Sequence, residues 1–295
     1  TSTGNASISL CGFIPDFAVN TGGEVVTRTA NDATATGTLR AGTLDITSDT
    51  GSININTAAD AVGSYVSLLA SNGSVSVTTA GTINLAGDVS ALNGGTASLT
   101  STGGAITQAS GMIAATSIAL DADTTITQGS GATLRSTNLS LTSGGNVTLG
   151  GANDFTTITD LAVGGDLTLR NLGNINLSPI LGGTGGYRSG GALTLISDTG
   201  NILSTNSGIN TSRLNASVAG SISLDGTIAS LGTITAGQSI LLTTYNGSMD
   251  LTGNVTGRNI SLYGYTGLNQ SGGIIDADRL NVITNGDISL TGANR

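Results

Sequence analysis

The stretch Gly111–Gly151 reads as two copies of one unit. Ile113 answers to Leu134, the pair Ile118/Leu120 to Leu139/Leu141, and Ile126 to Val147, every time at an offset of 21 residues. Within each copy the apolar residues come in short bursts, two positions apart, separated by Gly, Ser, Asn and Thr. Alternation with period two is the signal of a half-buried strand, and the small polar residues between bursts are turn formers. Short strands recurring at a fixed period of about 20 residues leave few folds open. One unit cannot bury its apolar face alone, so each must stack on the next as a coil of a β-solenoid.

From Gly42 onward the pattern can be followed as a first strand, a second strand eight or nine residues later, and a shorter third site. The first begins at Leu44, Val66, Ala97, Ile118 and Leu139, and later at Leu161, Leu193, Leu214, Ile240, Ile260 and Leu280. The second includes Ile53, Val75, Ile106, Ile126 and Ile288, and the third Ile113, Leu134, Phe155 and Ile275. Three short strands per coil and about 20–22 residues per coil predict an all-β parallel β-helix of roughly 11 coils. Residues 42–295 form the repeat, and residues 1–41 an atypical first coil, cap or interface. Longer coils are expected near 82–93, 170–191 and 225–236, because the first-strand spacing there stretches to 31, 32 and 26 residues.

Composition narrows the function. Charged residues are 9% of the chain, against roughly 25% in an ordinary globular protein. Recurrent Leu, Ile and Val nonetheless separate it from disordered chains of similar polarity. The net charge is −9, all nine basic residues are Arg, and they are scattered. That excludes the basic patch a nucleic-acid partner requires. No apolar run is long enough to span a membrane as a helix. The chain opens on Thr1 rather than Met, so it is expected to be a mature or excised piece.

The ends are the places to look for partners. A solenoid end exposes an apolar cross-section and unpaired strand edges, which need covering. The segment 8–20, ISLCGFIPDFAVN, is the densest bulky cluster in the chain. The last coil, NVITNGDISLTGANR, carries no cap of its own. Cys11, Phe13, Ile14 and Phe17 at one end, with Ile288 and Leu290 at the other, are therefore the candidate interface. The expected partner is the chain itself, head to tail, and Phe13→Ser or Phe17→Ser should abolish that assembly. The one cysteine, Cys11, has no internal disulfide partner and reads as a small buried hydrophobe.

Catalysis needs convergent titratable groups. Without His or Lys, the Ser–His, Cys–His, His–metal and Schiff-base chemistries are closed. Carboxylate pairs remain, at Asp121/Asp123 and Asp276/Asp278, and paired carboxylates could serve a glycosidase or a calcium ion. At strand corners, however, Asp commonly bonds its own backbone. The tetrapeptide SDTG occurs at 48–51 and 197–200, each time between strands, and reads as a turn formula. No catalytic, cofactor-binding or metal-ligating residue is assigned. Sugar contact is the remaining surface chemistry. Tyr187 and Arg188 sit in the loop-like stretch 177–191, and Tyr263 and Tyr265 alternate within one short stretch. Loops on rigid scaffolds often bind, and amphipathic aromatic rings suit wet ligands.

The phrases GGAITQASGMIAATSIALDAD, STNLSLTSGGNVTLGG and AGSISLDGTI resemble the repeats of filamentous-haemagglutinin-like exoproteins of two-partner secretion. The resemblance covers roughly residues 42–290. It implies a right-handed parallel β-helix, an extracellular or cell-surface location, and an adhesive or matrix role in bacteria. It carries over no binding residue. The expectation is therefore a non-enzymatic structural rod of a secreted adhesin or fibre, with host or matrix glycans or proteins as further partners. A polysaccharide-binding or polysaccharide-degrading β-helix is the alternative.

Overall fold

In the computed structural model, the described residues are 8–11, 21–36, 39–57, 61–178, 187–204 and 208–295. They form thirty β-strands and no helix. Hence no described helix is long and apolar enough to cross a membrane. The strands pair in parallel and stack as a β-solenoid of about 12 turns. The chain forms two compact units, Thr1–Asp154 and Phe155–Arg295.

In the first unit, parallel pairing places like residues on like. Ile53 pairs with Ala33 and Val75, Val75 with Ala97, Ala97 with Ile118, and Ile118 with Leu139. A second ladder runs Ile83–Ile106–Ile126–Val147. A third runs Thr27–Ile46–Leu68–Val89–Ile113–Leu134. Every residue in these ladders is buried. β-Branched and leucine side chains suit this arrangement because they pack well on a pleated surface buried on one side. Each contributes about 1.5–3 kcal/mol by burial. All four pairs at the 21-residue offset are stacked as expected.

The pairing revises the coil boundaries. Val75, placed by spacing in a second strand, lies beneath Ala97, placed in a first strand. The burst at 82–87 is therefore an ordinary rung, Ile83 on Ile106, and the region 82–93 holds no enlarged coil. In the second unit Ile222 lies beneath Ile240, which likewise removes the long coil at 225–236. The stretch near 170–191 does lengthen its turn, since Leu167 pairs with Leu193 and Ile175 with Ile202. The ladder also starts before Gly42, with Ile8–Cys11 on Val25–Arg28 and Glu24–Thr29 on Thr43–Ser48.

Val66 is a further correction. It is 40% exposed, and Tyr65 takes the inward place at 1%. The register slips between Leu44/Asp45 and Tyr65/Ser67, and again where Tyr65 and Ser67 meet Leu85 and Asp88. Such a bulge turns the following side chains over. Opposite it lies Gly87, where a Cβ would stand 1.8 Å from the Val66 carbonyl oxygen.

The second unit repeats the scheme with the ladders Ile175–Ile202–Ile222–Ile240–Ile260–Leu280 and Ile234–Val255–Ile275. In both units a serine closes the same corner. Ser48 Oγ donates to the Asn31 carbonyl at 2.7 Å and accepts from Gly51 N–H at 3.0 Å. Ser101 bonds Gly81 and Gly104 in the same way, and Ser197 bonds Gly173 and Gly200. The SDTG tetrapeptides are thus turns that tie one coil to the previous one. Their aspartates are taken up in ion pairs along the axis, Asp49 with Arg28 at 3.1 Å and Asp198 with Arg170 at 2.9 Å.

Side-chain amides supply a second kind of tie, with Gln108, Asn153 and Gln270 buried. In the first unit, Gln128 Nε2 donates to Gln108 Oε1 and to Asn153 Oδ1, and its Oε1 accepts from Gly151 N–H and Asn153 Nδ2. Asn153 Oδ1 also accepts from Leu134 N–H at 2.8 Å. The second unit repeats the arrangement. Gln270 exchanges hydrogen bonds with Asn294 and accepts from Gly292 N–H, and Asn294 Oδ1 accepts from Ile275 N–H. The tripeptide Gly-Ala-Asn at 151–153 and 292–294 carries both copies.

Candidate functional site

The second unit gathers exposed apolar residues on one outward face. Inward Ile240, Leu242, Ile260 and Leu262 leave the alternate positions to solvent. Pairing stacks these outward positions in columns. One runs Leu203–Ser223–Leu241–Ser261–Asn281, and the next Asp225–Thr243–Tyr263–Ile283. A third begins with Arg188–Asn210–Thr227. Tyr245 follows one coil on, its N–H bonded to the Gly226 carbonyl at 2.8 Å, and Tyr265 lies two residues beyond Tyr263. Tyr245 is 47% exposed and Tyr265 55%.

Hydrogen bonds tether two of the rings. The Tyr245 hydroxyl donates to one oxygen of Asp225, and the Ser204 hydroxyl donates to the other. Asn281 Nδ2 donates to the Tyr263 hydroxyl at 3.4 Å. The bond to Asp225, then burial, then the charge of Asp225 push the Tyr245 phenol up from the ordinary 10 to about 12. A pKa raised on folding favours the neutral phenol. Its stabilisation is complete below pH 10 and is lost as pH rises through about 12. In a spectrophotometric alkaline titration, Tyr245→Phe should therefore remove one phenolate step near pH 12. It should also lessen the alkaline loss of stability between those values. Retention of the full step in the variant would refute the assignment.

The structure sorts the predicted contacts. Tyr263 and Tyr265 lie on this face. Tyr187 does not, which corrects its reading as a glycan contact. It is 1% exposed, and its hydroxyl lies 2.7 Å from the carbonyl oxygens of both Ile158 and Ser178. Burial raises its phenol to about 12. The ring anchors the longer coil to the core. Arg188, next in sequence, is exposed and lines a cleft of about 410 Å³ with Ser189, Asn210, Thr211, Ser212 and Thr227. Tyr65, being buried, is also unavailable to a ligand. Tyr245 was not singled out by sequence. Its signal was the YNG/YTG recurrence at 245–247 and 265–267.

The two carboxylate pairs lie in different units. Asp121 and Asp123 are exposed on either side of buried Ala122. Asp276 and Asp278 line a hollow of about 210 Å³ with Arg258, and Asp276 is bridged by Arg295 at 3.1 Å. No cluster of three or more His, Cys, Asp or Glu able to hold a metal occurs among the described residues. Of the candidate interface, Cys11 lies in a strand and pairs with Arg28. Phe13, Ile14 and Phe17 lie outside the described residues. Ile288 is 50% exposed, and Leu290 is half-buried.

Fold and surface together define the chain as a parallel β-solenoid with stacked outward columns. No family model matches it, no curated protein matches it, and no solved structure matches it.

Proposed function

We propose that this chain is a non-enzymatic structural segment of a secreted or surface-exposed bacterial adhesin or extracellular fibre. The observation that carries the reading is the coil-on-coil order of both units: apolar ladders inside, serine and amide ties at the corners, small polar residues outside. A chain so built gains length by repetition and presents an even surface, which is what a shaft requires. The repeat phrases that resemble filamentous-haemagglutinin-like exoproteins support the same reading, with a right-handed coil of three strand sites. Assembly end to end is part of the proposal. A head-to-tail contact between copies that does not close gives a filament.

Electron microscopy of the purified chain over a range of concentrations tests this. Filaments that lengthen with concentration, and that shorten or vanish in Ile288→Asp, are expected. Discrete single-chain particles at every concentration would rule out end-to-end assembly.

A further inference from the structure

We propose that the outward face of the second unit, from Asn210 and Thr227 to Tyr245, Tyr263 and Tyr265, binds an uncharged polysaccharide laid along the coil axis. The first argument is alignment. Asn210 pairs with Thr227, Tyr245 follows one coil on, and Tyr263 comes in the next coil, stacked on Thr243 two residues before Tyr245, with Tyr265 exposed just beyond it. Each step is roughly 4.8 Å, the spacing of adjacent strands, so these four successive coils give a track roughly 14 Å long. It opens at one end into the cleft lined by Asn210, Ser212 and Thr227, and ends on two exposed rings.

The second argument is chemical alternation. Beside the rings stand the hydroxyls of Thr243 and Ser261 and the amide of Asn281, in register with them. A flat apolar partner, such as a second copy of this face, would cover those groups without satisfying them, at a cost for each. A pyranose chain offers a C–H face to each ring and hydroxyls to the groups between. The third argument is charge. The chain carries −9, and Asp225 stands at the rings, so a polyanion is repelled where the aromatic contact would form. Tethering of Tyr245 by Asp225 and of Tyr263 by Asn281 holds the rings in place before any ligand arrives, which lowers the ordering cost of binding.

Isothermal titration calorimetry of the full chain with cellohexaose, xylohexaose and mannohexaose, and with heparin as the polyanion, tests the proposal. Binding of at least one neutral hexasaccharide is expected. Tyr245→Ala and Tyr265→Ala should each weaken it about tenfold, as loss of an aromatic anchor does. Thr100→Ala, on the outward surface of the first unit, should leave it unchanged. Thermal unfolding followed by circular dichroism confirms that each variant is folded, and should Tyr245→Ala fail that check, Tyr265→Ala decides. No heat with any neutral hexasaccharide, equal affinity in the folded tyrosine variants, or binding of heparin alone would overturn the proposal. The proposed shaft would stand in any of those cases, since filament formation reports on it separately.

Discussion

Asn153→Ala is expected to be the most damaging polar substitution in the first unit. The side-chain amide is fully buried and meets four groups: Leu134 N–H, both ends of the Gln128 amide, and the Leu149 carbonyl. Alanine removes all of these bonds. Leu134 N–H is left buried without a partner, at a cost of about 1–3 kcal/mol, while the Gln128 amide keeps its bonds to Gln108 and Gly151 and loses about 0.5–1.5 kcal/mol for each bond removed. A total of roughly 2–5 kcal/mol follows, large against the marginal stability of any domain. Chemical denaturation should show the transition of this unit at lower denaturant, and hydrogen exchange at Leu134 should quicken most. Asn294→Ala, which removes the matching amide in the second unit, should cost less, because Asn294 is only partly buried. Equal and small effects at both sites would show that the amide ladder is incidental.

Gly87→Ala is expected to cost about 3 kcal/mol or more, the upper end of what overpacking does. The added methyl would sit 1.8 Å from the Val66 carbonyl oxygen, and the obstacle is backbone, which cannot rotate aside. Relief requires the bulge at Val66 to straighten. Straightening would turn Val66 inward and expel Tyr65, exchanging a buried aromatic ring for a smaller side chain. Gly150→Ala, with open space at its Cβ position, is the matched control and should be close to neutral. Thermal unfolding of the two variants beside the parent chain measures the difference, and equal midpoints would show that the bulge yields cheaply.

Tyr263 and Tyr265 were legible as surface rings because period-two alternation places them opposite the buried Leu262. Tyr187 reads as a surface ring because loop-like composition surrounds it on both sides. Nothing in that local pattern shows that its ring turns back beneath Ile158 and Ser178. Tyr245 escaped notice because its value depends on Asp225 and Ser204, some twenty and forty residues earlier, and only stacking brings these together. The amide ladders were hidden for the same reason. Gln128 and Asn153 are 25 residues apart and share no local signature beyond the small residues around them.

By itself the sequence determined the class of fold. Apolar residues alternating in short bursts at a near-constant period can be buried only by stacking coil on coil, and the rungs at the 21-residue offset are the ones observed. Tertiary structure decided the phase. Whether Val75 or Val66 lies beneath Ala97 depends on which backbone edges meet, and both residues satisfy the same local pattern. It also decided which outward residues become neighbours, because a column gathers side chains about twenty residues apart, and that separation depends on every bulge and loop between them.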